Sequence, residues 1–197
     1  PCQCPECAAA DRKAGSHSGS LVAFTNRIAA ETCRRYPDKY VLTTAYLHTQ
    51  PPPRGMAVHD NTIVWLAHMA PSCDTHPLEE CERNARYVGH LKGWRRAAKR
   101  VFVWHYVTNW HHPFFFHANF DALAKDVRFY RDAGVSGVFF QGQGRTMACS
   151  LDELHSYVQG RMAWNADRDY WREAGEFVNA VYGGAGPAVL KMLDVLH

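Results

Sequence analysis

Short runs of β-branched and aromatic residues alternate along this chain with longer stretches in which apolar positions recur every three or four residues. The short runs are Tyr40–Leu47, Thr62–His68, Val101–Tyr106 and Val135–Gln141, and each leads into a segment rich in His, Pro, Asn, Gly or Gln. Strand-length apolar runs separated by amphipathic helical stretches predict βα units around a parallel sheet. Four such units are half of an eight-stranded barrel. The expected fold class is therefore α/β, the C-terminal half of a (β/α)8 TIM-like barrel followed by C-terminal helices. About four βα units fill residues 1–148, and helices packed on the barrel fill residues 149–197.

Residues 1–19 read as an irregular loop carrying Cys2, Cys4 and Cys7, then Gly15, Ser16, Ser18 and Gly19. A helix is predicted from about Ser20 to the Tyr36-Pro37 break, with Leu21, Phe24, Ile28 and Ala29 as its apolar stripe. The consecutive prolines Pro51–Pro53 extend neither a ladder nor a helix, so a stiff extended loop is expected beyond the first strand. Pro77 suits the first turn of a helix running to about Arg100. Phe120, Leu123, Val127 and Tyr130 mark one face of the next helix, with Gly134 as its left-handed cap. Ser150-Leu151-Asp152-Glu153 has a capping-box pattern, and helices are expected over Leu151–Trp164, over Tyr170–Tyr182 and from Pro187 onward.

Composition narrows the class. With 197 residues, 47% hydrophobic and 21% charged, the chain is too apolar to be disordered and long enough for one substantial core. No apolar run approaches the roughly 20 residues of a membrane span. The chain opens Pro1-Cys2-Gln3-Cys4 without an initiator Met, which suits a piece of a longer protein whose N-terminal half would be its partner. The net charge of +3 is small, and Lys92, Arg95, Arg96, Lys99 and Arg100 read as a solvated helix face. Nucleic acid is accordingly not the expected partner. Seven cysteines, an odd and uneven set, fit neither redox compartment decisively.

In parallel α/β folds, ligands gather at the carboxyl ends of strands. Those ends carry Tyr46 and His48; His68; Trp104, His105, Tyr106 and Asn109; and Gln141, Gln143 and Arg145. Flat aromatic faces beside amides, hydroxyls and imidazoles match a sugar, whose C–H face stacks while its hydroxyls need directed partners. The expected substrate-binding set is Tyr46, His48, Trp104, Tyr106, Asn109, Gln141 and Arg145, with Arg145 facing a substrate carboxylate. The plainer alternative makes the aromatics barrel core and the imidazoles loop caps. Glycoside hydrolysis normally uses two carboxylates about 5–10 Å apart, and none of the four strand ends has one. Glu6, Asp11, Asp60 and Asp74 read as solvated loop charges, so no catalytic residue is assigned.

Cys2-x-Cys4-x-x-Cys7 admits three readings: a zinc site completed by His17 or Cys33, a disulfide between two of the three, or free thiols. No cofactor is demanded by the sequence, and zinc is the candidate. His111 and His112 with His105 or His117 form a weaker metal set. There is no G-x-S-x-G elbow, dinucleotide fingerprint or P-loop.

The runs Cys2-Gln3-Cys4-Pro5-Glu6-Cys7, Phe24-Thr25-Asn26-Arg27-Ile28-Ala29, Leu42-Thr43-Thr44-Ala45-Tyr46, Pro51–Pro53, Trp104-His105-Tyr106 and Gly134-Val135-Ser136-Gly137-Val138-Phe139 resemble the family called domain of unknown function 4838. The likeness continues in order to Tyr182-Gly183-Gly184-Ala185. That family is similar to glycosidase-type barrels, distantly to α-glucuronidases and hexosaminidases. The resemblance implies a large bacterial parent, exported to the periplasm or beyond, that acts on polysaccharide. It carries over no catalytic residue, and Gln141, which cannot titrate, offers no general acid where relatives have an acidic or amide group. Three expectations follow: a glycoside-hydrolase-like fragment binding or hydrolysing a complex, acidic glycan and inactive alone; a non-catalytic carbohydrate-binding barrel; or a zinc-dependent enzyme built on Cys2, Cys4 and Cys7.

Overall fold

The computed structural model describes residues 1–68, 75–112, 114–142 and 151–196. The strands are β1 (Val41–Ala45), β2 (Thr62–His68), β3 (Arg100–Tyr106) and β4 (Gly137–Gln141), and the helices are α1 (Pro5–Ala14), α2 (Ser18–Arg35), α3 (Ala85–Ala97), α4 (Phe120–Asp132), α5 (Asp152–Trp164), α6 (Tyr170–Tyr182) and α7 (Gly186–Leu196). The strands form one parallel four-stranded sheet in the order β1-β2-β3-β4, so spatial order follows chain order. The chain divides into two compact units. The first comprises Pro1–Ser72, Ala85–His105 and Ala133–Phe139, and the second Cys73–Asn84, Tyr106–Asp132 and Phe140–His197.

Register explains the first unit's core. Thr43 pairs with Val64 and Ala45 with Leu66, while Val64 pairs with Val101 and Leu66 with Val103. Because strand side chains alternate between faces, these residues share one face. It is buried against Val22, Thr25 and Ala29 of α2 and Tyr87, Leu91 and Trp94 of α3. Thr25 Oγ1 donates to Thr43 Oγ1 at 3.4 Å across this packing. The opposite face holds Leu42, Thr44, Trp65, Phe102, Trp104 and Phe139, all half-buried or exposed.

Two sequence expectations change here. The segment read as an irregular loop contains α1, a ten-residue helix that the Cys, Gly and Ser around it obscure. Pro5 stands where its missing N–H costs nothing, the alanines favour helix, and Gly15 closes it at φ 64° in the left-handed region. In α2, Phe24 and Ile28 face outward at 60% and 41% exposure, and the buried stripe is Val22, Thr25 and Ala29. Small residues select that face. A Cβ on Gly19 would lie 2.5 Å from Ala14 Cβ and 2.7 Å from Ala10 O, so α2 approaches α1 as closely as backbone allows.

The connection from β1 to β2 contains no helix between its strands. A single 3-10 turn, Leu47–Thr49, leads into the proline run. Ser16 and Ser18 hydroxyls donate to Pro51 O at 3.0 and 2.7 Å, Trp94 Nε1 donates to Gln50 O at 2.7 Å, and Gln50 Nε2 donates to Ala67 O at 2.8 Å. The loop is thus held by α2, α3 and β2 together. Helix α3 begins at Ala85, not near Pro77, because a turn and a 3-10 segment (Glu82–Asn84) come first. Two of the basic residues read as a solvated face hold the segments that lead into strands: Arg95 donates to the Ala98 and Lys99 carbonyls before β3 and to Ala133 O before β4, and Arg100 to Asp60 O before β2 while lying 4.5 Å from the Tyr40 ring.

The second unit follows the predicted pattern closely. Phe120, Leu123, Val127 and Tyr130 are all buried, and Gly134, where the chain re-enters the first unit, has φ 73°. Phe120, Leu123 and Val127 pack with Leu154, Val158 and Met162 of α5, Ala174 and Val178 of α6, and Leu193 of α7. Each fully buried aliphatic or aromatic side chain contributes about 1.5–3 kcal/mol. Glu173 is completely buried and ion-paired to Arg161 at 2.7 Å and to Arg168. The capping-box Ser150 lies outside the described residues.

Candidate functional site

Helix α1 gathers thiols. Cys4 is its N-cap, and its Sγ accepts the Cys7 N–H at 3.5 Å, so the cap and third helical positions bring two sulfurs together. Cys2, two residues before the cap, completes a trio whose sulfurs all lie within 4.8 Å of one another. Cys2 and Cys4 are exposed and Cys7 half-buried. The backbone and side chain of Cys7, with Cys2, donate toward Cys4 and hold its pKa below the ordinary thiol value. Donation to Cys4 and Cys2 pushes the Cys7 thiol up to about 12. Among the described residues this is the one group of three or more His, Cys, Asp or Glu side chains arranged like metal ligands. Neither His17, Cys33 nor the His105, His111, His112 and His117 set belongs to such a group.

Beside the trio lies a cleft of about 620 Å³ lined by Cys2, Asp11, Arg12, His17, His48 and Pro51, among others. Asp11, expected to be a solvated loop charge, is instead buried on α1 with 8% exposure. Its Oδ1 accepts the Ser20 N–H at 2.8 Å and its Oδ2 pairs with His17 Nδ1 at 3.0 Å. Burial raises its pKa, but the Ser20 and His17 hydrogen bonds outweigh that and hold the carboxyl below the usual range. The His17 ring stands edge-on to His48 at 5.9 Å. Asp11 carried no sequence signal, since its role depends on α1, which was read as loop.

The expected sugar-binding residues are distributed over both units. Tyr46 follows β1 at 36% exposure, and Thr49 Oγ1 accepts its N–H at 3.1 Å and donates to its carbonyl at 2.9 Å. His48 belongs to the thiol-side cleft. Trp104 is half-buried between Trp65 at 4.8 Å and Phe139 at 5.5 Å on the sheet face opposite α2 and α3. In the second unit Tyr106 lies 6.4 Å from Trp110, a partner not anticipated for it. Asn109 Oδ1 accepts the His111 and His112 N–H groups at 3.0 and 3.2 Å, which shapes that loop. Gln141 ends β4, and its carbonyl accepts the Val107 N–H at 3.1 Å. Arg145, Gln143 and Asp74 lie outside the described residues.

His68 and His105, register partners at the ends of β2 and β3, point the other way, into the helix-covered core. Their rings are 4.7 Å apart, and His68 meets Tyr87 at 4.7 Å. Burial, then the neighbouring His68, drives the His105 pKa well below its ordinary value, so the ring is neutral at physiological pH.

The model of one protein family, described as domain of unknown function (DUF4838), matches residues 1–194. The chain belongs to that family. No curated protein and no solved structure matches it. Within this DUF4838 chain the match takes in the thiol trio, the four strands and nearly all of the closing helices. Among the described residues, no helix is long and apolar enough to cross a membrane.

Proposed function

We propose that this chain is the sugar-binding portion of a glycoside-hydrolase-like (β/α) barrel acting on a complex, acidic polysaccharide. One observation supports it above others: helices α2 and α3 cover one face of a parallel sheet, while the other face carries Trp65, Trp104 and Phe139 in mutual contact. Parallel sheets are ordinarily buried on both faces, and a barrel achieves this by closing on itself with that face inside. On this reading Trp104 is interior packing. The closing strands belong to the same polypeptide outside this chain, in a parent exported from the cell.

Sugar then contacts the strand ends. In the second unit Tyr106, beside Trp110, offers stacking surface, with Asn109 and Gln141 supplying amides. Arg145 is assigned to the carboxylate of an acidic sugar. Hydrolysis would use a pair of carboxylates, which the ends of β1–β4 do not supply among the described residues, so the residues named here are assigned to binding.

Calorimetric titration of the full-length protein with neutral and uronic-acid polysaccharides tests the reading. Tyr106→Ala and Trp110→Ala are each expected to weaken binding about tenfold or more, roughly 1.4 kcal/mol, with the far-ultraviolet spectrum unchanged. Unaltered binding by both variants, or no binding to either glycan class, overturns it.

A further inference from the structure

We propose that Cys2, Cys4 and Cys7 bind one Zn(II) ion as thiolates and leave its fourth coordination position open to the cleft that Cys2, His17 and His48 line. The site is independent of the sugar-binding reading. It lies wholly within the first unit, whereas Trp110 and Gln141 belong to the second.

Geometry carries the assignment. With Zn–S bonds of about 2.3 Å, tetrahedral coordination sets sulfurs about 3.8 Å apart. The three sulfurs here already lie within 4.8 Å of one another, so the ion needs movements of about 1 Å or less from side chains at the surface. The helix start arranges this. Cys4 and Cys7 occupy the N-cap and third helical position of α1, where cap side chain and first turn converge, and Cys2, two residues before the cap, brings its sulfur within reach of both. Charge fits as well. Three thiolates around Zn(II) leave a net charge of −1 at a helix N-terminus, where backbone N–H groups favour negative charge.

A disulfide accounts for the trio less completely, since pairing two sulfurs strands the third. Three protein ligands with no fourth among the described residues is the ligand count of zinc sites that accept an external group. The adjoining cleft of about 620 Å³ is large enough for a small molecule, and His17 and His48 can hydrogen-bond whatever enters it.

The test uses the reduced protein. Elemental analysis after zinc loading and desalting is expected to give one zinc per chain. Cobalt substitution is expected to give a thiolate-to-metal charge-transfer band with the intense visible bands of a tetrahedral site, and added azide is expected to shift those visible bands. Cys4→Ser retains a good N-cap, so α1 should persist while zinc affinity falls at least a hundredfold. Cys33→Ser should leave affinity unchanged. No retained zinc, zinc content insensitive to Cys4→Ser, or a disulfide within the trio that persists under zinc and reductant overturns the site. Cobalt bands unmoved by azide overturn the open fourth position.

Discussion

Asp11 caps a helix to which it does not belong: its Oδ1 accepts the backbone N–H of Ser20, in the first turn of α2, at 2.8 Å. The N-cap of α2, His17, provides no side-chain cap of its own, so the carboxylate of α1 satisfies a donor that would otherwise be left orphaned near the helix start. Asp11→Ala is expected to lower stability by about 1–2 kcal/mol, read from the urea midpoint, with Asp11→Asn losing less. The pH dependence has a definite sign. The folded pKa is depressed, so the contribution is complete above the unfolded carboxyl value of about 3.9 and is lost as pH falls through the lower folded value.

His105 sets a second dependence, at higher pH. Its folded pKa is depressed, so the unfolded chain binds the extra proton. Stability is therefore full above about pH 6.5 and declines below it, by up to about 1.4 kcal/mol per pH unit, until the folded pKa is reached. His105→Leu should flatten the urea midpoint between pH 7 and pH 5 relative to the parent. A parent midpoint that does not move over that range contradicts the burial of a neutral imidazole.

Glu173 is a costly ionic group to disturb. Its carboxylate is fully buried against Arg161 and Arg168, with Arg172 at 3.7 Å. Burial raises its pKa, and the hydrogen bonds from Arg161 and Arg168 more than reverse this. Removing one partner of a buried pair typically costs about 3–5 kcal/mol. Arg168→Ala should approach that range, because it leaves a buried carboxylate half-satisfied, and the effect should appear as a lowered thermal midpoint.

Periodicity alone placed the elements whose apolar positions had one interpretation. Thr62–His68 is the strand expected, and Phe120, Leu123, Val127 and Tyr130 form the buried face of α4. Where small residues decide, hydrophobicity misleads. Gly19, Thr25 and Ala29 bring α2 against its neighbours, and Phe24 is left outside. The thiol trio was legible as a motif, but its convergence was not, since that depends on α1 beginning at Pro5. Strand ends were legible too, yet which face each ring takes is a matter of register. One residue of offset separates His105, in the core, from Trp104, on the opposite face.

The carbonyl of Pro51 receives both the Ser16 and the Ser18 hydroxyl, and Arg54 N–H bonds to the last carbonyl of α1 at Ala14. The helix bearing the sulfurs and the loop bearing His48 are thereby one mechanical piece. A group that draws the three sulfurs inward tugs on α1, and α1 passes that tension through two seryl hydroxyls to the backbone just beyond β1. The helix that carries Cys4 and Cys7 at its start is wired to the end of a strand.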